Sequence, residues 1–126
     1  MRKKLTFPNF VIALAIAAIF AAIALPSYAA YARKSARAEA MSFIVDAAFR
    51  EQAHFASRQA YAGSLAVLGV VVPPALADKY TLAVVATQAP KQAFTIKATA
   101  VGDQAGDACP VLTVDSAGRR WPVSCW

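Results

Sequence analysis

The chain has 126 residues, a net charge of +6 at neutral pH and a hydrophobic content of 59%. Arg2, Lys3 and Lys4 supply half of the charge, so the rest of the chain carries a net +3, which is weak evidence for an anionic partner. Such a length allows one small domain with a modest core. Composition therefore excludes a multidomain chain and a large packed interior.

The N-terminal segment is the most apolar part of the chain. Residues 10–25 carry no charged or polar side chain, and the mostly apolar stretch that begins at Leu5 has about 21 residues, enough for a helix to cross a bilayer. A secretory signal peptide would have a shorter apolar stretch followed by a loop, and a buried core helix would need a larger domain around it. We therefore expect a membrane anchor over residues 1–28, with the basic N-terminus in the cytoplasm.

The helical pattern continues beyond this anchor. Residues 29–55 contain neither glycine nor proline. Apolar and half-polar side chains recur there at steps of four and three, which places one stripe along a helix; the stripe consists of Met41, Val45, Ala48, Gln52 and Phe55. The pattern predicts one helix from near Leu5 to near Phe55, with this stripe against the core of an outer domain formed by residues 29–126.

The remainder of the chain predicts a sheet. Glycine and proline residues make 56–78 a connecting loop, and Thr87–Gln92 is predicted as a hairpin turn. Alternating apolar and polar residues, together with turn signals, predict four strands, which are Tyr80–Val84, Phe94–Ala98, Val111–Asp115 and Arg119–Val123. Pro122 limits the last strand to an edge. The fold class is therefore α+β, a long helix packed on a four-stranded antiparallel sheet over residues 79–126.

Cys109 and Cys125 are the two cysteines of the chain. In an outward-facing domain such a pair usually forms a disulfide, which here would tie the C-terminus to the sheet. Zinc binding would require further ligands, and none has the necessary spacing. We therefore expect a disulfide and no metal site.

Several segments resemble one family. AAIALPSYAAYARKSARAEA, residues 21–40, resembles the N-terminal helix of type IV pilins, including the proline at Pro26. QAYAGSLAVLG, KYTLAV, FTIKATA, GDACPVLTVDSAGRR and the terminal CW are similar to segments of PilE-like minor pilins. The resemblance implies the type IV pilin fold, with half of the helix in the membrane and a sheet closed by a C-terminal disulfide loop.

The start of the chain departs from the family's processing signal. Alignment on Pro26 places Lys4 where the family has the glycine before the cleavage point, and Leu5 at the first mature position. Asn9 occupies the place of a glutamate that is expected to pair with a neighbouring subunit's N-terminal amine, and a neutral side chain gives no ion pair. The resemblance implies prepilin peptidase as a partner, acting between Lys4 and Leu5. A lysine in place of the small residue that this enzyme prefers favours impaired cleavage. An uncleaved anchored protein that never polymerises is the alternative.

The residues do not predict catalysis. His54 has no second base or nucleophile beside it, and no glycine-rich phosphate loop or metal-ligand spacing is present, so we expect no catalytic residue, cofactor or small-molecule substrate. Asp46 and Glu51 are predicted to be solvated helix charges. The resemblance implies a structural subunit of a pilus, located in the bacterial inner membrane and in extracellular filaments. Its partners would be other pilin subunits and the assembly machinery, and its roles assembly, twitching motility, adhesion or DNA uptake.

Nucleic-acid binding is the second functional hypothesis, since certain competence pilins bind DNA through a basic strip. Five residues are expected to gather on the sheet and its disulfide loop, where basic groups would contact phosphates and an aromatic ring would stack on a base; they are Lys91, Lys97, Arg119, Arg120 and Trp121. The competing interpretation is that the arginines merely protect an exposed edge strand from aggregation.

Overall fold

The computed structural model describes residues 6–126. Its elements, in chain order, are the helices α1 (Phe7–Arg58) and α2 (Pro74–Ala77) and the strands β1 (Tyr80–Thr87), β2 (Ala93–Ala100), β3 (Val111–Asp115) and β4 (Arg120–Trp121). Short 3₁₀ turns cover Gly102–Gly106 and Val123–Cys125. The chain divides into two units after Ala32.

The first unit contains the apolar part of α1. Every residue from Phe7 to Tyr31 is exposed, although many of these side chains are large and apolar. The best 18-residue window has a mean hydropathy of 2.5, and among the described residues α1 is the one helix long and apolar enough to cross a membrane. Pro26 lies inside this helix, where its missing N–H leaves a carbonyl one turn earlier without its usual donor.

In the second unit, α1 buries a stripe of small residues. The buried positions are Ala36, Ala40, Ile44, Ala47 and Glu51. The predicted stripe is wrong, because it is displaced by one position along the helix from the buried one. Its apolar members are half-buried, and Gln52 is exposed. Alanines let a helix approach a sheet closely, so they occupy the contact line while larger side chains flank it.

The sheet is antiparallel, in the order β1-β2-β3-β4. Alternate residues face α1, and Ile96 of β2, which lies between Val84 and Val114 on the neighbouring strands, is fully buried. The predicted fourth strand, Arg119–Val123, is too long, since β4 has two residues and a 3₁₀ turn follows Pro122. Proline cannot continue the ladder, so β4 stops there.

The segment between α1 and β1 is held against the helix and the sheet. Oε1 of Glu51 accepts the N–H of Ala62 at 2.8 Å. The ring of Tyr61 lies 4.6 Å from that of Phe55 and 4.9 Å from that of Phe94, measured between centroids. The predicted connecting loop contains the short helix α2. It is fixed by the buried carboxyl of Glu51 and by an aromatic cluster.

Candidate nucleic-acid interface

The outer face of the sheet, defined here as the face turned away from α1, carries two of the five candidate residues. Lys97 of β2 pairs with Thr113 of β3, and Thr113 pairs with Trp121 of β4. Residues that pair across strands point to the same face, and strands lie about 4.8 Å apart, so Lys97 and Trp121 stand about 10 Å from each other. Trp121 is 59% exposed. The structure therefore brings a cation and an open aromatic ring together.

Hydroxyl groups surround this pair. By strand register the outer face also carries a set of threonines, Thr81, Thr87, Thr95, Thr99 and Thr113. Threonine hydroxyls contribute hydrogen bonds to phosphate oxygens in protein–DNA complexes. Asp115 is the acidic residue on this face, and it lies at the end of β3. The outer face thus combines these hydroxyl groups with one central positive charge, that of Lys97.

Arg119 lies in the turn between β3 and β4. Its Nε is 3.8 Å from Oδ2 of Asp115, and its side chain is 82% exposed. The turn itself is fixed, because Oδ1 of Asp115 accepts the N–H groups of Ala117 and Arg119 at 3.0 and 2.9 Å. Such an exposed ion pair contributes little to stability, so the guanidinium can turn to a phosphate at little cost.

Lys91 lies in the turn between β1 and β2, at the same end of the sheet as Arg119, because β2 is antiparallel to both β1 and β3. It is exposed, and its carbonyl accepts the hydroxyl of Thr87 at 2.9 Å. Lys91 and Arg119 therefore add two positive charges at one end of the outer face.

Arg120 lies on the sheet and beside the disulfide loop, as predicted for the five candidates, but on the inner side of the sheet and not on the outer face with Lys97 and Trp121. It pairs with Val114, whose side chain is buried on the α1 side, and neighbouring residues of a strand point to opposite faces. Its guanidinium lies 5.2 Å from the ring centroid of Trp126. There it lines an open, largely apolar groove of about 320 Å³ together with Phe49.

The disulfide loop fixes the edge that carries Trp121. Cys109 and Cys125 are bonded, as predicted, with Cα atoms 6.2 Å apart. Oδ2 of Asp107 accepts the N–H of Cys109 at 3.1 Å and pairs with Arg37 of α1 at 3.2 Å. The C-terminal end of the chain is thereby connected to both the sheet and the helix.

Glu51 corrects the prediction of a solvated charge. It is fully buried, and Oε2 has no hydrogen-bond partner among the described residues. Burial raises the pKa of this carboxyl, while the hydrogen bond from Ala62 and the nearby His54 act in the opposite direction. The signal for its burial is its position four residues after Ala47 on the alanine stripe. Nδ1 of His54 donates to the Ala60 carbonyl at 2.7 Å, so both side chains hold the connecting loop.

The residues of the processing signal lie elsewhere. Lys4 and Leu5 lie outside the described residues. Asn9 and Pro26 are exposed on α1.

Within residues 6–126, no group of three or more acidic, histidine or cysteine side chains is placed to hold a metal ion.

Comparison with known proteins places these features in context. Residues 26–113 match the family model described as type IV minor pilin ComP, DNA uptake sequence receptor. The chain is also similar to a solved type IV pilin from Shewanella oneidensis, with 26% sequence identity and a TM-score of 0.61, over 75% of this chain and 97% of that one. No curated protein matches the chain at a significant level.

Proposed function

The chain belongs to the ComP family of type IV minor pilins, and on that premise we propose that this minor pilin subunit serves DNA uptake by binding DNA with the outer face of its sheet. The similarity to a solved type IV pilin supports the structural role. The description of the family as a DNA uptake sequence receptor supports the DNA role. This description favours DNA uptake over twitching motility and adhesion, three roles between which the sequence alone does not distinguish.

The observation that carries the proposal is the shared face of Lys97 and Trp121. Lysine contacts phosphates as a point charge, and an exposed indole stacks on bases or packs against the sugar. The threonine hydroxyls around them supply further phosphate contacts without adding charge. Lys91 and Arg119 extend the positive potential to one end of the sheet.

The expected affinity is modest, because three cations form a small electrostatic surface. Three neutralised phosphates give a slope of about −3 for log K against log salt on duplex DNA. Fluorescence anisotropy with labelled duplex DNA and the full chain in non-ionic micelles measures this slope. Lys97→Ala and Arg119→Ala should each reduce its magnitude by about one. Arg120→Ala is the matched control, since it removes the same charge from the opposite face and should leave the slope unchanged.

Two results would contradict this assignment. One is an affinity that depends on Arg120 and not on Lys97. The other is the absence of salt-dependent binding at low ionic strength, which would leave the subunit with a purely structural role in the filament.

For the membrane part we propose one crossing by residues 1–28, with a cytoplasmic N-terminus, and an outer domain formed by residues 29–126 that is exposed on the filament. The length and hydropathy of α1 support the crossing, and Arg2, Lys3 and Lys4 support the orientation. Prepilin peptidase and the pilus assembly machinery are the proposed partners, and the role is structural and not enzymatic. N-terminal sequencing of the protein from membranes and from sheared filaments tests processing: a methylated Leu5 indicates cleavage after Lys4, whereas an intact basic start in the membrane fraction, with no protein in the filaments, indicates an uncleaved anchor.

A further inference from the structure

The connecting segment leaves α1 at a strained residue. α1 ends at Arg58, and the next residue, Gln59, has a φ of 59°. Many helices are followed by this left-handed conformation, but glycine usually adopts it, because a side chain there brings Cβ too close to the backbone. Such a conformation persists only where surrounding contacts impose it. Residues 59–62 therefore depend on contacts with the rest of the fold.

Three side chains, two from α1 and one from the turn between β1 and β2, bond to the backbone of residues 59–62. Oε1 of Glu51 accepts the N–H of Ala62 at 2.8 Å. Nδ1 of His54 donates to the Ala60 carbonyl at 2.7 Å. From the turn, Nε2 of Gln92 donates to the carbonyl of the strained residue at 3.0 Å. Glu51 is the fully buried member of this set, so its bond is the one best shielded from water.

Ionisation of Glu51 is unfavourable while the segment is in place. Within residues 6–126, Oε2 has no hydrogen-bond partner, so a buried carboxylate would have one oxygen without compensation. Burial raises the pKa of this carboxyl above 4.5, whereas the bond from the Ala62 N–H and the charge of His54 act in the opposite direction. The arrangement therefore favours the protonated carboxyl.

Few other charged or titratable groups lie near Glu51. The connecting segment contributes Tyr61, whose ring packs on Phe94 of β2, an apolar and fully buried residue. Arg50, the preceding residue of α1, is exposed and forms an ion pair on the helix surface. Among the described residues, the charged side chain that acts on the buried carboxyl is therefore that of His54.

We propose that Glu51, through its bond to Ala62, is the pH-sensitive part of a latch that holds residues 59–62 against α1 while the carboxyl is protonated and releases them when it ionises. Release exposes the carboxylate to water and lets Gln59 leave its strained conformation, so both changes favour the open state. The closed state binds the proton more tightly than the open state does. The latch is therefore most firmly closed below about pH 4.5 and weakens as the pH rises through the closed-state pKa.

Release of the latch also affects the turn between β1 and β2. The bond from Gln92 to Gln59 joins this turn to the connecting segment, and Lys91 is the adjacent residue of the turn. Opening would thus loosen one cation of the outer face at higher pH. This consequence for DNA rests on the proposed function, whereas the latch itself is tested without DNA.

Amide exchange measured by NMR on the full chain in non-ionic micelles, from pH 4 to pH 8, tests the latch. The rate for an unstructured amide at the same pH, divided by the observed rate, gives a protection factor. That of Ala62 should fall about fivefold or more as the pH rises, the factor that corresponds to leaving one buried polar group unpaired. In the same samples the carboxyl ¹³C signal of Glu51 should titrate over the same pH range.

Low concentrations of urea distinguish release of the latch from unfolding of the whole domain. Local opening exposes little surface, so the protection of Ala62 should not depend on urea. The amides of β2, which lies between two strands, should be more strongly protected and should lose protection as urea is added. An Ala62 amide that follows β2 in urea would overturn the proposal, because its exchange would then report global unfolding.

Two variants complete the test. Glu51→Gln keeps an acceptor for the Ala62 N–H but cannot ionise, so the protection of Ala62 should no longer depend on pH. Asp46→Asn is the matched control, because it removes an exposed carboxyl from the same helix, and it should behave like the wild type. A Glu51→Gln variant with the wild-type pH dependence would overturn the proposal. So would a wild-type Glu51 signal that titrates with no change at Ala62, a result that requires no variant.

Discussion

The same strands form the inner and outer faces of the sheet, but the side chains of the inner face are buried and those of the outer face are accessible. On the inner face Ile96 and Leu112 are fully buried against the helix. On the outer face Lys97 and Thr113 occupy the adjacent positions of the same strands and remain accessible. The difference shows that this small domain places its stability on one face, which leaves the other free to carry a ligand-binding surface at little cost in folding free energy.

The largest expected effect comes from the inner face. Leu112→Ala should lower the free energy of unfolding by about 2–5 kcal/mol, because it opens a cavity in a fully packed site. Thr113→Ala, one residue along β3 and on the outer face, should change it by about 0.5 kcal/mol or less. Denaturant unfolding measures both variants. Equal losses would show that the two faces do not divide stability as proposed.

Loss of the disulfide is expected to have the second-largest effect on stability. Cys109 and Cys125 are separated by 16 positions, and closing a loop of that size stabilises a fold by about 3 kcal/mol. Cys125→Ser should lose about this amount and expose the C-terminal residues to proteases while leaving β1 and β2 protected. Limited proteolysis with mass spectrometry gives the cleavage sites. Cleavage that begins in β1 would contradict a local role for the disulfide.

A smaller effect concerns the buried carboxyl of Glu51. Its folded-state pKa is raised above the reference value of 4.5 by burial, so the folded state holds this proton more tightly than the unfolded state does. Its contribution to stability is therefore complete below about pH 4.5 and is lost as the pH rises through the folded-state pKa. Glu51→Gln keeps an acceptor for the Ala62 N–H and should flatten this part of the profile.

Unfolding measured from pH 4 upward tests this expectation. Asp46→Asn, which removes an exposed carboxyl from the same helix, is the charge-matched control. A wild type and a Glu51→Gln variant with parallel pH profiles would show that the burial of Glu51 has no energetic consequence.

Much of the fold follows from local patterns. Alternation predicts the first three strands, and the absence of glycine and proline predicts the continuous helix beyond the membrane segment. The buried stripe of α1 was wrong by one residue because the pattern ranks large apolar side chains first, whereas close packing on the sheet selects Ala40 and Ala47. The burial of Glu51 was missed for a different reason: it depends on the N–H of Ala62, which the connecting loop brings to the helix.

Only part of the candidate interface could be predicted from the sequence. The period of two along β4 was enough to place Arg120 and Trp121 on opposite faces, but the predicted strand began at Arg119 and its register was unknown. The neighbourhood of Lys97 and Trp121 depends on pairing through Thr113, which is a property of the tertiary fold. The basic residues alone therefore indicate a binding surface on the sheet, but they do not show which side chains share one face.

The most direct test of the account uses the two tryptophans as internal reporters. Trp121 lies on the outer face, and Trp126 is half-buried beside Arg120. In an NMR titration with duplex DNA, assigned with a Trp121→Phe variant, the indole N–H signal of Trp121 should shift progressively while that of Trp126 stays in place. A shift of Trp126 without Trp121, or no shift of either at saturating DNA, would contradict DNA binding by the outer face.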